Sequence, residues 1–298
     1  NAIANSLVLN GTGISSGGAL TNSHATAGSV SGTVALSSTS SVGGNAGSIT
    51  LGGVVSGSSA LTKIGTNTLT LSAANSYSGG TSLSAGMLVV SNNTALGSGA
   101  LTMSASTILQ AGATSVSMSN PIAMSGAATI NAPTGNTLTL SGVLSGAGTP
   151  TVNSGTTGTV LLTNSSNTFG SATVVTNITV SGGILGIVGD DSLGVAPSSV
   201  QAASIKLSGG VLQANGLPSE TNPTTVVLSA NRGITLTAAS GLAATATTNS
   251  GTTYIDSLQV QGVVTGAYAL TINGANQAGI VKLSGPNTYS GGATITSG

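Results

Sequence analysis

Cysteine is absent from the chain, and so is tryptophan. Without cysteine there are no disulfide staples and no thiolate metal sites. Charge is almost absent too: four basic residues, four acidic residues and one histidine give a net charge of zero over 298 residues. Charged residues make up 3% of the chain, against about 25% in an ordinary globular domain. So few titratable groups leave little material for acid–base catalysis. A nucleic-acid reader needs a basic face. Lys63, Lys206, Arg232 and Lys282 are instead spread along the whole length, so no nucleic-acid partner is expected. Aromatic residues are 2%. There is no apolar run long enough for a transmembrane helix and no barrel pattern with aromatic girdles. No membrane insertion by this segment is expected.

What the chain does contain argues for a folded protein. Hydrophobic residues are 39% and glycines number 46. Disordered chains show low hydrophobicity with high net charge, the opposite balance. The dense Gly, Ser, Thr and β-branched residues disfavour helix. Apolar and small polar residues alternate in short runs such as Val34-Ala35-Leu36 and Thr68-Leu69-Thr70-Leu71, which read as short strands between turns.

The runs repeat. Gly53 to Gly86 is the clearest copy, and others begin at Gly142 and Gly262, 89 and 120 residues further on in turn. The turn core reads Asn75-Ser76-Tyr77-Ser78-Gly79-Gly80, then Asn167-Thr168-Phe169-Gly170, then Asn287-Thr288-Tyr289-Ser290-Gly291-Gly292, with asparagines 92 and 120 residues apart. Ile108-Leu109-Gln110-Ala111 and Asn120-Pro121 are echoed by Val211-Leu212-Gln213-Ala214 and Asn222-Pro223. The repeating unit is therefore about ninety residues. The second unit carries about 28 more, with Asp190 to Ala203 and Ala238 to Thr253 as candidate places for them. Repeats that need stacked neighbours to bury a core imply a solenoid.

At these residues the chain resembles the passenger-associated strand repeat of bacterial autotransporters, the large type V secreted adhesins. Leu61-Thr62-Lys63-Ile64-Gly65, Leu69-Thr70-Leu71-Ser72, the Asn75 to Gly80 turn and Ala85-Gly86 carry the likeness. The third copy has Leu270-Thr271-Ile272-Asn273-Gly274 in place of the lysine piece, and the second is degraded at Phe169-Gly170-Ser171. The resemblance implies an all-β, right-handed parallel β-helix, a β-solenoid drawn out into an elongated rod. Modules are expected at 1–52 (partial), 53–141, 142–261 and 262–298 (partial), within one continuous solenoid over 1–298. Coils of about 20 residues would give about 15 coils and a rod about 70 Å long. Gly291 to Gly298 matches Gly79 to Gly86 and stops six residues short of the phase at Asn1, so a window from a longer array is expected.

The expected function is structural: a segment of a secreted or cell-surface bacterial repeat protein that forms a rod or extracellular filament and supports adhesion or matrix building. Self-association, end to end or lateral, and contact with a host or matrix surface are the expected partnerships, because near-zero charge leaves copies little repulsion. The alternatives are a monomeric autotransporter passenger stalk, a β-helix enzyme acting on polysaccharide, and a carbohydrate-binding module. The enzyme would need Asp190, Asp191, Glu220 and Asp256 clustered on one face. The binding module would need aligned, exposed aromatics. Asp190-Asp191 reads as a solvated corner. Gly13-Ile14-Ser15-Ser16-Gly17 matches the Gly-x-Ser-x-Gly hydrolase pattern but lacks the following helix, and His24 reads as a surface residue. The Thr-x-Thr pairs, such as Thr68/Thr70 and Thr235/Thr237, read as outward threonines on ordinary strands. Tyr77, Phe169 and Tyr289 read as packing under the turn. No catalytic, cofactor-binding or metal-binding residue is assigned, and no cofactor is expected.

Overall fold

A computed structural model describes residues 2–171, 176–216, 222–274 and 277–297. These form short β-strands joined by turns and two 3-10 turns, with no α-helix among the described residues. The chain divides into two compact units, Asn1–Gly148 and Thr149–Gly298.

In the first unit each coil has three sides. One coil is Gly28–Val30, Val34–Leu36 and Ser40–Gly43, and the next is Ile49–Leu51, Val55–Ser56 and Leu61–Ile64. Equivalent strands of successive coils pair in parallel: Leu69 lies against Ile49, and Leu88 against Leu69. Alternation along each strand sends every second side chain inward. Leu69 and Leu71 are fully buried while Thr68 and Thr70 are half-exposed, as the pattern predicts. Stacked coils therefore line up inward columns such as Val30, Leu51, Leu71 and Val90, each adding about 2 kcal/mol of hydrophobic burial. The steps from Ile49 to Leu69 to Leu88 to Leu109 are 20, 19 and 21 residues. The expected coil length holds there.

The second unit, described by itself, also stacks parallel strands, with longer coils. Ile178 pairs with Ile205, Ile205 with Ile234 and Ile234 with Val264, steps of 27, 29 and 30 residues. Leu270 to Ala293 then returns to 23. Much of the additional chain thus lengthens coils instead of adding coils of 20. Part forms the 3-10 turn Asp190–Leu193, and part forms the antiparallel hairpin of Ala246–Asn249 with Thr252–Ile255. The 3-10 turn falls in the first stretch that the repeat arithmetic singles out, and the hairpin starts in the second and ends two residues past it.

The repeat motif earns its glycines at two places. A Cβ on Gly79 would sit 2.3 Å from the Ser59 carbonyl carbon, and one on Gly291 would sit 2.0 Å from that of Tyr268. Each first glycine of the pair is pressed against the backbone of the preceding coil. Each second glycine, Gly80 at φ +84° and Gly292 at φ +82°, takes a left-handed turn that a side chain resists.

Candidate functional surface and buried polar groups

The motif asparagine ties coils together. Asn75 Oδ1 accepts from Val55 N at 2.8 Å, and its Nδ2 donates to Ala95 O at 2.6 Å, so one buried amide spans three successive coils. In the later copies Asn167 Nδ2 donates to Ser192 O at 2.9 Å, and Asn287 Oδ1 accepts from Val264 N at 2.9 Å. Tyr77 and Phe169 are fully buried beneath the same turn, while Tyr289 is half-buried. The Tyr77 hydroxyl hydrogen-bonds Thr81 Oγ1 at 2.6 Å, and burial pushes its pKa from 10 up to about 12.

Lys63 lies in an inward column beside Val42 and Leu83, wholly buried. Its Nζ donates to Ile64 O at 2.7 Å, Gly65 O at 2.8 Å and Ala85 O at 3.2 Å. All three ammonium hydrogens thus meet carbonyls of two stacked corners. Burial lowers its pKa from 10.5 to about 8.

Asp190 departs from the sequence reading. It is no solvated corner: its Oδ1 accepts from Arg232 Nε at 2.9 Å and from Ser229 N at 3.2 Å. Arg232 is the largest fully buried side chain, and it also donates to Leu193 O at 3.3 Å and Gly194 O at 3.1 Å. The pair straps the 3-10 turn to the strand Arg232–Leu236. Two residues 42 positions apart gave no sequence signal of this. Asp191 is exposed. Asp256 is fully buried, and its carboxylate accepts from Gly216 N at 3.0 Å and Thr224 N at 2.9 Å. Glu220 lies outside the described residues. Asp190 and Asp256 therefore sit in different sets of partners, each spent on holding backbone. Among the described residues no group of three or more His, Cys, Asp or Glu is placed to hold a metal ion.

The other candidates stay apart as well. Ser15 sits in the 3-10 turn Ile14–Ser16 at φ +50°. His24 is exposed, with Nδ1 2.9 Å from Thr26 Oγ1. Thr50 and Thr70 stack, but Val89 takes the next place in that column, so no threonine ladder extends along it.

What remains on the outside is hydroxyl-rich and nearly chargeless. On the first unit an outward column runs Thr62, Ser82, Thr102, Ala123 and Ser145. Lys63, Arg232 and Asp256 are buried and Asp190 is paired within the fold. Asp191, Lys206 and Lys282 are the unpaired charged side chains left with solvent contact among the described residues, and the paired Asp190 is partly exposed.

Residues 61–90 and 275–298 match the family model described as passenger-associated-transport-repeat. No match is found among curated proteins or among solved structures. The first matched segment holds Lys63, Asn75, Tyr77 and the Gly79-Gly80 pair, and the second holds Asn287, Tyr289 and Gly291-Gly292. The residues that stitch coil to coil are thus the residues of the motif. One segment in each unit matches the passenger-associated-transport-repeat model.

Proposed function

We propose that this chain is a non-catalytic structural segment of a secreted or cell-surface bacterial protein, and that it works by associating with copies of itself into an extracellular filament or matrix. The observation that carries this reading is where the charges go. Four of the eight charged side chains, Lys63, Asp190, Arg232 and Asp256, are buried or paired within the fold, and the surface is dominated by Ser, Thr, Asn and Gly with a few charges and single apolar residues. Such a surface offers hydrogen bonds while presenting almost no like-charge repulsion between copies. Backbone ladders supply stiffness, and the inward columns supply stability. Neither a basic face for nucleic acid nor an open acidic cleft for a polysaccharide is part of this reading, since Lys63, Arg232 and Asp256 are fully buried.

The test is sedimentation velocity and electron microscopy of the purified chain over a range of concentration, from low to high salt. Concentration-dependent association that persists at high salt is expected, because screening has few charges to act on. A species that stays monomeric throughout would overturn the reading in favour of a monomeric stalk.

A further inference from the structure

Two copies of the motif meet the same corner with different chemistry. Leu61 to Gly65 in the first copy corresponds to Leu270 to Gly274 in the third, so Ile272 takes the place of Lys63. The sheet registers agree: Leu83 lies against Lys63, and Ile295 against Ile272. In the first copy the Lys63 ammonium donates to Ile64 O, Gly65 O and Ala85 O. The carbonyls that correspond to the first two are Asn273 O and Gly274 O, and the motif position beside them offers only a hydrocarbon.

A single hydroxyl stands at this corner. Ser297 Oγ lies 3.1 Å from both Asn273 O and Gly274 O, and it also contacts Gln277 O. A hydroxyl carries one proton, so it serves one of these carbonyls at a time. Gln277 brings a further acceptor. The residue is 8% exposed, and its Oε1 is buried with no hydrogen-bond partner among the described residues. That oxygen lies 3.4 Å from the point where a Cβ on Gly274 would stand. The corner is held in place by Asn273, whose Oδ1 accepts from Ala244 N at 3.1 Å and whose Nδ2 donates to Gly279 O. A groove of about 260 Å³, lined by Val211, Ser240, Thr271, Gly274 and Gln277 among others, reaches the corner.

We propose that this corner binds an alkali-metal cation, sodium or potassium, through Asn273 O, Gly274 O, Gln277 O, Gln277 Oε1 and Ser297 Oγ. The oxygens gathered there outnumber the protons offered to them. The unpartnered Gln277 Oε1 bears a desolvation cost that a bound ion removes. The corresponding corner of the first copy already holds a positive charge, the Lys63 ammonium. All the ligands are neutral oxygens. Calcium and magnesium sites draw on carboxylates, whereas backbone carbonyls can replace the hydration shell of a monovalent ion. On binding, the Ser297 proton turns away from the carbonyls and the oxygen's lone pairs face the ion. The ion thus ties the corner at 273–277 to Ser297 of the next coil, as Lys63 ties Gly65 to Ala85.

The purified chain is unfolded with urea in potassium chloride, sodium chloride or N-methyl-D-glucamine chloride at one ionic strength. Potassium or sodium is expected to stabilise it. Above the dissociation constant, the unfolding equilibrium constant falls about tenfold for each tenfold rise in cation. Gln277→Met removes Oε1 at similar volume and weakens the apparent affinity at least about tenfold. Ile272→Lys supplies the ammonium as the first copy does, so stability no longer follows the cation. Circular dichroism confirms that the variants fold. Sodium NMR line broadening by the native chain, reversed by potassium, reads the same site without unfolding or substitution. Equal stability of the wild type in all three salts, with no line broadening, would mean that water alone serves the corner and would overturn the proposal. A cation effect that both variants keep in full would place the ion elsewhere and overturn it too.

Discussion

Raising the pH should make the first unit more stable before it makes it less so. Lys63 is fully buried, and burial lowers its pKa from 10.5 to about 8. Below pH 8 the lysine is protonated in both the folded and unfolded states, and the folded state bears the desolvation cost. Between 8 and 10.5 the folded chain gives up the proton while the unfolded chain keeps it. The unfolded state then binds more protons, so stability rises with pH. The full difference corresponds to about 3 kcal/mol, of which about 2 kcal/mol is gained by pH 10. Tyr77 acts the other way. Its pKa is raised from 10 to about 12, so its contribution is intact below pH 10 and is lost between 10 and 12. The maximum should fall near pH 10. The assay is a series of urea unfolding curves followed by far-UV circular dichroism at steps of pH, for wild type and Lys63→Met. The substitution should abolish the rise and keep the fall. At neutral pH it should be close to neutral: three carbonyls lose donors worth about 1 kcal/mol each, and a buried charge of similar cost is removed. A wild-type profile that is flat from neutral to pH 10, or a rise of equal size in Lys63→Met, would refute the reasoning.

Three further outcomes follow from the geometry. Asn75→Ala removes a bridge between Val55 N and Ala95 O and should cost about 2–4 kcal/mol in unfolding free energy, whereas an exposed asparagine such as Asn93 should cost far less. Gly79→Ala drives a Cβ to 2.3 Å from the Ser59 backbone and should lower the melting temperature more than Gly80→Ala, which pays left-handed strain of about 1–2 kcal/mol. Arg232→Met leaves Asp190 without its buried partner and should destabilise the second unit by about 3–5 kcal/mol, with the double variant Arg232→Met/Asp190→Asn recovering part of the loss in a thermodynamic cycle.

The strands and the coil-to-coil joints were largely legible, because the solenoid writes them in local patterns. Alternation gave Leu69 and Leu71 their inward face. The recurring turn marked Asn75, Tyr77, Gly79 and Gly80 as one device, and the structure gives each a separate physical task. Lys63 belonged to the recognised motif, yet its burial was not visible, since a lysine in a polar run normally faces water. The Asp190–Arg232 pair was invisible for a related reason. In this fold side chains meet across one or more coils, and here the separation is 42 residues, with no repeat to align the two positions. Coil length was legible in the first unit and escaped in the second, because alternation alone cannot tell a longer turn of the solenoid from an additional one.

The change in coil length sets how the two units would respond to tension. A coil of 20 residues pulled out straight yields about 70 Å of chain, and one of 30 yields about 100 Å, while each occupies about 4.8 Å of axial rise when folded. Every coil peeled away would therefore lengthen the molecule by more than ten times the space it filled. Peeling the second unit would lengthen it most per event, once the Asp190–Arg232 strap had given way. Such a chain stores slack in discrete, unequal steps, with the sizes set by its turns and insertions.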